Sequence, residues 1–379
     1  MIETHEGRVA VKRWVKGLDA VTETQIRNIS NLDVARAIAI MPDAHVGYGM
    51  PIGGVLATKD AVIPNAVGVD IGCGMCAVRT DLTELDTDAL KQIMGIIRLR
   101  VPLGFNHHNE PQKWVGFGDA PDVQIIQEQL QAARMQLGTL GGGNHFIEIQ
   151  HGSDGAIWCM IHSGSRNFGL RVADDYHHKA VAYCDTNRTD LPSADLAYLQ
   201  IRTRLGQEYL SAMEYACTFA EASRAAMMTE VLHAVHEVAG GNALLTIETR
   251  HNYARLEVHN GEEVYVHRKG AVFAGPRQQV IIPGSMGSPS YIASGLGNPE
   301  AMNSSSHGAG RRMGRGAAKR QLNLADEQAK MVGIVHGLRT RGDLDEAPGA
   351  YKSIDEVMAN QADLVTPIIK LTPLASIKG

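Results

Sequence analysis

Six clusters of glycine punctuate the chain: Gly47–Gly54, Gly68–Gly74, Gly138–Gly143, Gly164–Gly169, Gly284–Gly297 and Gly308–Gly316. Glycine reaches backbone conformations closed to other residues and lets a ligand approach the main chain closely. Between the clusters lie short β-branched runs, Val67–Val69, Ala156–Ile161 and Gln279–Ile282, which read as strands. Helical periodicity covers Asp122–Leu137, with Gly138 as its cap. A second helical stretch, Ser193–Val238, reads as two helices broken near Gly206 or later, and a third runs from Leu324 to about Leu338. Strands and helices mix without a βαβ rhythm. The expected fold is α+β, with mixed sheets and glycine-rich loops converging on one site. No linker interrupts the 379 residues, so residues 1–379 are expected to form a single domain.

Composition narrows the class. Hydrophobic residues make up 44% and charged residues 20%, as in soluble enzymes. No apolar run approaches the roughly 18 residues of a membrane span, and MIETHEGRVAVKRW lacks the apolar centre of a signal peptide. The expected compartment is the cytoplasm, with no membrane partner. Five cysteines, at 73, 76, 159, 184 and 217, form no disulfide framework. The net charge of -5 does not suggest general affinity for nucleic acid, although a local basic patch can supply it.

The chemistry-bearing residues sit in the glycine turns. Asp70 and Cys73, three apart in GVDIGCGMC, can offer a carboxylate and a thiolate to one cation. Cys73 and Cys76 also form a CxxC, but no second pair completes a zinc ribbon, and Cys76 reads as a small buried hydrophobe. Asn144, His145 and Glu148 follow three glycines. His162 ends an apolar strand, with Ser163, Ser165 and Arg166 after it as a possible phosphate grip. His251 and Asn252 end another apolar run. One such histidine is more often a core residue. Three of them, with Asp-x-x-Cys, suggest a metal centre whose ligands are scattered along the chain. Imidazole, thiolate and carboxylate suit zinc, manganese, iron or nickel alike, and their number would serve two ions sharing a thiolate.

Asp43 and His45 in MPDAHVGYGMP are read as ordering their turn or supporting ligands rather than binding metal. PGSMGSPSY, from Pro283, is a turn rich in hydroxyls and amides that suits an anion; it is not a Walker A motif. His307 follows three serines and precedes Gly308, Ala309 and Gly310, and five basic residues fall within 311–320. A neutral imidazole can attack phosphorus. The competing reading is a structural histidine at a helix N-terminus, followed by a solvated basic face.

Together these segments resemble the RtcB family of RNA-splicing ligases. The segments are PDAHVGYGMPIGGV, GVDIGCG, LGGGNHFIEI, HSGSR, RHNYA, PGSMGSPSY, SSSHGAGR, EAPGAYK and the final Lys378-Gly379. The resemblance spans nearly the whole chain. It implies a GTP- and Mn²⁺-dependent ligase that joins an RNA 3′-phosphate or 2′,3′-cyclic phosphate to a 5′-hydroxyl. Its partners would be GTP and broken RNA ends. Carried over, Asp70, Cys73 and His145 hold one manganese, and Cys73, His162 and His251 hold the second. His307 becomes guanylylated, and GMP passes from it to the RNA 3′ end. Asn144, His145, Glu148, Asn252, Ser285, Ser290, Tyr351 and Lys378 meet the nucleotide, as do Pro283, Gly284, Met286, Gly308, Ala309 and Gly310. Arg311 and Arg312 would meet phosphate charge. The chain is compact for the family, and Gly314 stands where a serine is frequent. The rival expectations are a metal-dependent cyclic phosphodiesterase that does not ligate, and an RNA-binding protein without catalysis.

Overall fold

The computed structural model describes all 379 residues. Two large sheets dominate. The first has six strands in the order Ile2–Thr4, Val11–Arg13, Ala35–His45, Ile52–Thr58, Glu262–Lys269 and Asn252–His259. Its pairs are antiparallel except Val11–Arg13 with Ala35–His45. The second has seven, in the order Ala243–Arg250, Gly74–Thr80, Ile157–Ser163, Phe146–Gly152, Val365–Lys378, Ser290–Gly295 and Gln279–Ile282. Its outermost strands approach each other, so the sheet curls almost into a barrel. The α+β expectation therefore holds.

Side-chain alternation of period two explains how each sheet buries both faces. In the seven-stranded sheet, Cys76, Val78, Ile147, Ile149, Cys159 and Ile161 point outward against helices Thr87–Arg100 and Arg204–Ala239. Their neighbours Met75, Ala77, Phe146, Trp158 and Met160 point into the curl. In the six-stranded sheet, Ile38, Ile40 and Leu56 join the largest core with helices Ala20–Ser30, Arg166–Thr186 and the first half of Arg204–Ala239. Ala39, Met41 and Val55 face the other way, toward Val280, Ile282 and Ala293 of the second sheet.

Three local expectations change. Ser193–Val238 is not two helices: Arg204–Ala239 runs unbroken for 36 residues. Gly206 lies in its first turn, where its N–H donates to the Thr203 N-cap hydroxyl at 3.1 Å, so it starts the helix instead of breaking it. The helix from Leu324 stops at Ala329. Beyond it the backbone of Val335 bonds to Leu374 and Ser376 of the terminal strand, and that pairing replaces helical bonds. Val67–Val69 is not a strand, because Pro64, pre-set for a first helical position, opens a one-turn helix, Pro64–Val67. Helix Gln124–Gln136 and strands Ile157–Ser163 and Gln279–Ile282 fall where the pattern places them, and Gly138 follows the first with φ +75°.

Candidate metal centre and nucleotide pocket

Sheet register assembles the site. At one end of the curled sheet Gly74 lies opposite Ser163, Met75 opposite His162, His162 opposite Phe146, and Phe146 opposite Lys378. Arg250 lies opposite Gly74 on the outer side, and the His251 N–H donates to the Cys73 carbonyl at 2.9 Å. Four neighbouring strands therefore deliver Cys73, His145, His162 and His251 to one point.

There the side chains converge. Cys73 Sγ is 3.6 Å from His145 Nε2 and 3.3 Å from His162 Nε2. His162 Nε2 is 3.3 Å from His251 Nε2, and His145 Nε2 is 3.0 Å from Asp70 Oδ2. The result is two candidate cation-binding groups, Asp70–Cys73–His145 and Cys73–His162–His251, which share the sulfur. The backbone sets the tautomers. His145 Nδ1 faces the Leu140 carbonyl at 3.0 Å and His162 Nδ1 faces the Asn144 carbonyl at 3.2 Å, so each Nδ1–H donates outward and each Nε2 lone pair points into the cluster. Burial holds His162 and His251 well below the ordinary histidine range. Burial, and then the Asp70 carboxylate, push the Cys73 thiol well up. His162 Nε2 and His251 Nε2 lie close enough for an N–H···N hydrogen bond and are equally placed to share a cation. Asp70 Oδ1 is buried and lacks a partner. The donor set thus fits metal, on geometry and on chemistry. A Cβ at Gly164 would overlap the Asp70 carboxylate, which explains the glycine in HSGSR.

Behind the cluster stands Arg224, fully buried at the middle of the long helix. Its Nη1 donates to the Gly72 carbonyl at 2.9 Å and the Ser163 carbonyl at 2.7 Å, tying the turn that carries Cys73 to the strand that carries His162. Its Nε donates to Glu248 at 2.5 Å.

His307 sits across the cavity. Its ring centroid is 4.7 Å from that of His251. Its Nδ1–H donates to Asp43 Oδ2 at 2.7 Å, and its own backbone N–H reaches the same oxygen at 3.2 Å. Asp43 is fully buried. Nε2 of His307 is left without a protein partner. Gly310, at φ +69°, lies where a Cβ would strike the Asp43 carbonyl. His45 Nδ1 contacts that carbonyl at 2.9 Å, and burial lowers His45 to about 4. Asp43 therefore belongs with His307, and neither it nor His45 is in a metal group.

One cavity of about 600 Å³ is lined by every residue expected to hold metal or meet the nucleotide except His145, which lies buried behind it: Asp70, Cys73, Asn144, Glu148, His162, His251, Asn252, Pro283 to Met286, Ser290, His307 to Gly310, Tyr351 and Lys378. On its far wall Glu148 is 2% exposed and accepts from Ser376 Oγ at 3.1 Å and Gln150 Nε2 at 2.8 Å. Burial raises Glu148 to about 7 against the pull of Lys378 and these hydrogen bonds. Asn252 is engaged on both sides, donating to the Asp70 carbonyl and accepting from the Gly270 N–H.

Some expectations change here too. The Ser163 and Ser165 hydroxyls donate to the Leu140 and Ile71 carbonyls, and Arg166 donates through Nε to Thr139 and through Nη2 to the Gly104 carbonyl, so a phosphate grip on this turn is left to its backbone amides and Arg166 Nη1. Of the arginines after His307, Arg311 lines the cavity but Arg312 does not, its Nε donating to the Gly349 carbonyl at 2.7 Å. No helix begins until Arg315, so the helix-N-terminus reading of His307 fails. Glu346, missed in the sequence, gathers Arg311, Arg315 and the Tyr351 hydroxyl. Its position in EAPGAYK was the only signal. Lys269 was also missed; it ends a strand just before Gly270, as His307 follows one just before Gly308.

Such a fold and site define a class: an α+β protein whose paired candidate cation-binding groups face a half-buried, carboxylate-held histidine across a nucleotide-sized cavity. Comparison with known proteins agrees. The family described as tRNA-splicing ligase RtcB matches residues 25–379. An RNA-splicing ligase RtcB1 of Escherichia coli is 40% identical over 97% of both chains. A tRNA-splicing ligase RtcB of Pyrobaculum aerophilum is 34% identical over 90% of this chain and 87% of its own. This chain belongs to the RtcB family of RNA-splicing ligases. No helix is long and apolar enough to cross a membrane.

Proposed function

We propose that this protein is a GTP- and Mn²⁺-dependent RNA ligase of the cytoplasm, acting through residues 1–379 as one catalytic domain. It joins RNA 3′-phosphate ends, or 2′,3′-cyclic phosphate ends once opened, to 5′-hydroxyl ends in tRNA splicing or RNA repair. His307 Nε2 attacks the α-phosphorus of GTP; a P–N bond forms and pyrophosphate leaves with the broken P–O bond. The GMP then passes to an oxygen of the RNA 3′-phosphate, and His307 is released. The 5′-hydroxyl attacks the activated phosphate, and GMP departs as the phosphodiester forms. Asp43 keeps the proton on Nδ1 and steadies the positive charge that grows on the ring as Nε2 bonds. Glu148 and Lys378 offer an acceptor and a donor, the complement of the guanine edge that carries N1–H, the 2-amino group and O6. Asn144, Asn252, Ser285, Ser290 and Tyr351 surround the rest of the nucleotide. Two Mn²⁺ ions, one with Asp70, Cys73 and His145 and one with Cys73, His162 and His251, would supply charge neutralisation and orientation for the phosphate oxygens.

The observation that carries this reading is the Asp43–His307 pair. A histidine fixed through Nδ1, with Nε2 open beside a cation-binding cluster, is built to be a nucleophile. A phosphodiesterase without ligation has no use for it. The test is labelled GTP and Mn²⁺ followed by a denaturing gel. Acid-labile, alkali-stable protein-bound GMP is expected, lost in His307→Ala and in Cys73→Ala. His307→Ala should keep both metals and still join a chemically prepared RNA–ppG end. Wild-type protein that never takes up label would overturn the ligase reading.

A further inference from the structure

The proposed chemistry draws on one wall of the cavity, built from the seven-stranded sheet and its loops, and on the loop across from it that carries His307. From the six-stranded sheet it uses only Asp43 and Asn252. The rest of that second wall includes the loop Val46–Gly49, between strands Ala35–His45 and Ile52–Thr58. Its backbone is clamped from several directions. The Gln25 amide grips Gly47 from both sides, donating to its carbonyl at 2.6 Å and accepting from its N–H at 3.2 Å. The Tyr48 carbonyl accepts from Lys269 Nζ at 2.6 Å and from the Met50 N–H at 2.7 Å. Lys269, itself buried, also ties to the Asn65 carbonyl at 2.9 Å. Gly49, at φ +66°, lies so close to Asp195 that a Cβ would sit 2.7 Å from its carbonyl oxygen.

The side chains of this rigid loop are nevertheless free. Tyr48 is 67% exposed, its hydroxyl has no hydrogen-bond partner, and no aromatic ring packs on it. Val46 is 48% exposed. Both line the cavity. Single exposed hydrophobic residues are ordinary on a protein surface. What sets Tyr48 apart is that its backbone is immobilised beforehand at the mouth of a pocket that faces nucleotides. A ring held this way stacks a base with little further loss of freedom, and stacking accepts any base because each has a π-face.

We propose that Tyr48, flanked by Val46, is the stacking platform for the terminal nucleobase of the RNA strand that carries the 3′-phosphate. The assignment rests on the ligase reading above, which places guanine on the opposite wall. Tyr48 is accordingly a substrate-positioning residue, indifferent to the identity of the terminal base and unneeded for the attack on GTP.

The experiment compares Mn²⁺-loaded wild type, Tyr48→Ala and Tyr48→Phe in three measurements. The first is labelling by GTP alone. The second is quenching of 2-aminopurine placed as the terminal base of a 3′-phosphorylated RNA, with a control RNA carrying it at the 5′-hydroxyl end. The third is KM for each strand in ligation. Tyr48→Ala is expected to label normally, to lose the 3′-end quenching, and to raise KM for the 3′-phosphate strand about 10-fold with kcat unchanged. Tyr48→Phe should match wild type, since the hydroxyl is unpaired. The proposal is overturned if Tyr48→Ala quenches and binds like wild type, if the effect falls on the 5′-hydroxyl strand, if Tyr48→Phe fails with it, or if GTP labelling falls in parallel. Failure of the ligase reading itself shows separately, as wild type that neither labels nor joins, and the quenching measurement still reports on the platform.

Discussion

Asp43 and His307 are 264 positions apart, yet a 2.7 Å hydrogen bond makes them one functional unit. Asp43→Asn keeps the shape but offers an amide that can donate to Nδ1, favouring the tautomer whose Nε2 carries the proton and cannot attack. The expected outcome is a loss of roughly 100-fold or more in the rate of GMP capture, with metal content unchanged, read by labelling kinetics and elemental analysis. Loss of metal along with activity would mean that Asp43 supports the cation groups instead. Glu148 makes a second prediction. Its carboxyl is raised to about 7 in the folded protein, so below that pH it holds a proton that burial favours. On the function proposed above, the ionised carboxylate would accept from guanine, and the protonated one could not accept fully. GTP affinity should therefore climb as pH rises from 6 to 8, by up to about 10-fold per unit below the pKa, and level off above it. Isothermal titration of Glu148→Gln should show weaker binding and no such slope. The same raised value means that Glu148 favours the folded state most below about pH 4.5, and loses that contribution as pH rises through 7.

At the scale of elements, the helix Arg204–Ala239 matters because Arg224 projects from it into the back of the site. Arg224→Met fills similar volume but abandons the Gly72 and Ser163 carbonyls in a buried place. Each orphaned carbonyl costs about 1–3 kcal/mol, so denaturant unfolding should show a loss of roughly 2–5 kcal/mol, with weaker Mn²⁺ binding. An unfolding midpoint equal to wild type would show that the two turns hold without it. The sequence does not reveal this role: a lone arginine on an amphipathic helix reads as a solvated charge, and only the close sheet behind it buries the side chain. The candidate metal residues were legible for the opposite reason. Asp70, Cys73, His145 and His162 each lie beside a glycine turn at a strand end, and His251 ends an apolar strand, so each carries a local pattern. Helix limits were legible only where local signals decided them. Gly138 marked an end correctly, whereas Gly206 marked a beginning, and Val335 was drawn out of its expected helix by a strand some forty residues away. That carbonyls occupy the Ser163 and Ser165 hydroxyls was not legible, because the partners Leu140 and Ile71 lie 23 and 94 positions away.

For the molecule as a whole, a cation held at the site would be coupled to the fold. The two candidate groups draw on residues from 70 to 251, so such a cation would bind the native arrangement and not the unfolded chain. Mn²⁺ at 100 times its dissociation constant should stabilise the protein by about 2.7 kcal/mol per independent site, seen as a rise in melting temperature. Cys73→Ala, which removes the shared sulfur, should abolish most of that rise; an undiminished rise would mean that the ions bind elsewhere. Fold class and the list of cavity residues could be read from the chain, but the two sheets that bring them together could not, because pairing partners such as Lys378 and Phe146 are distant in sequence. One of those pairings also sets a timetable. Strand Val365–Lys378 is inserted between Phe146–Gly152 and Ser290–Gly295, so the curled sheet has a gap at its centre until this strand arrives. During synthesis the strands that carry Cys73 and the histidines emerge well before this one, so the part of the cavity wall that Lys378 completes forms late. Until then Phe146–Gly152 and Ser290–Gly295 each present an unpaired edge, and such an edge is a template for pairing with another chain.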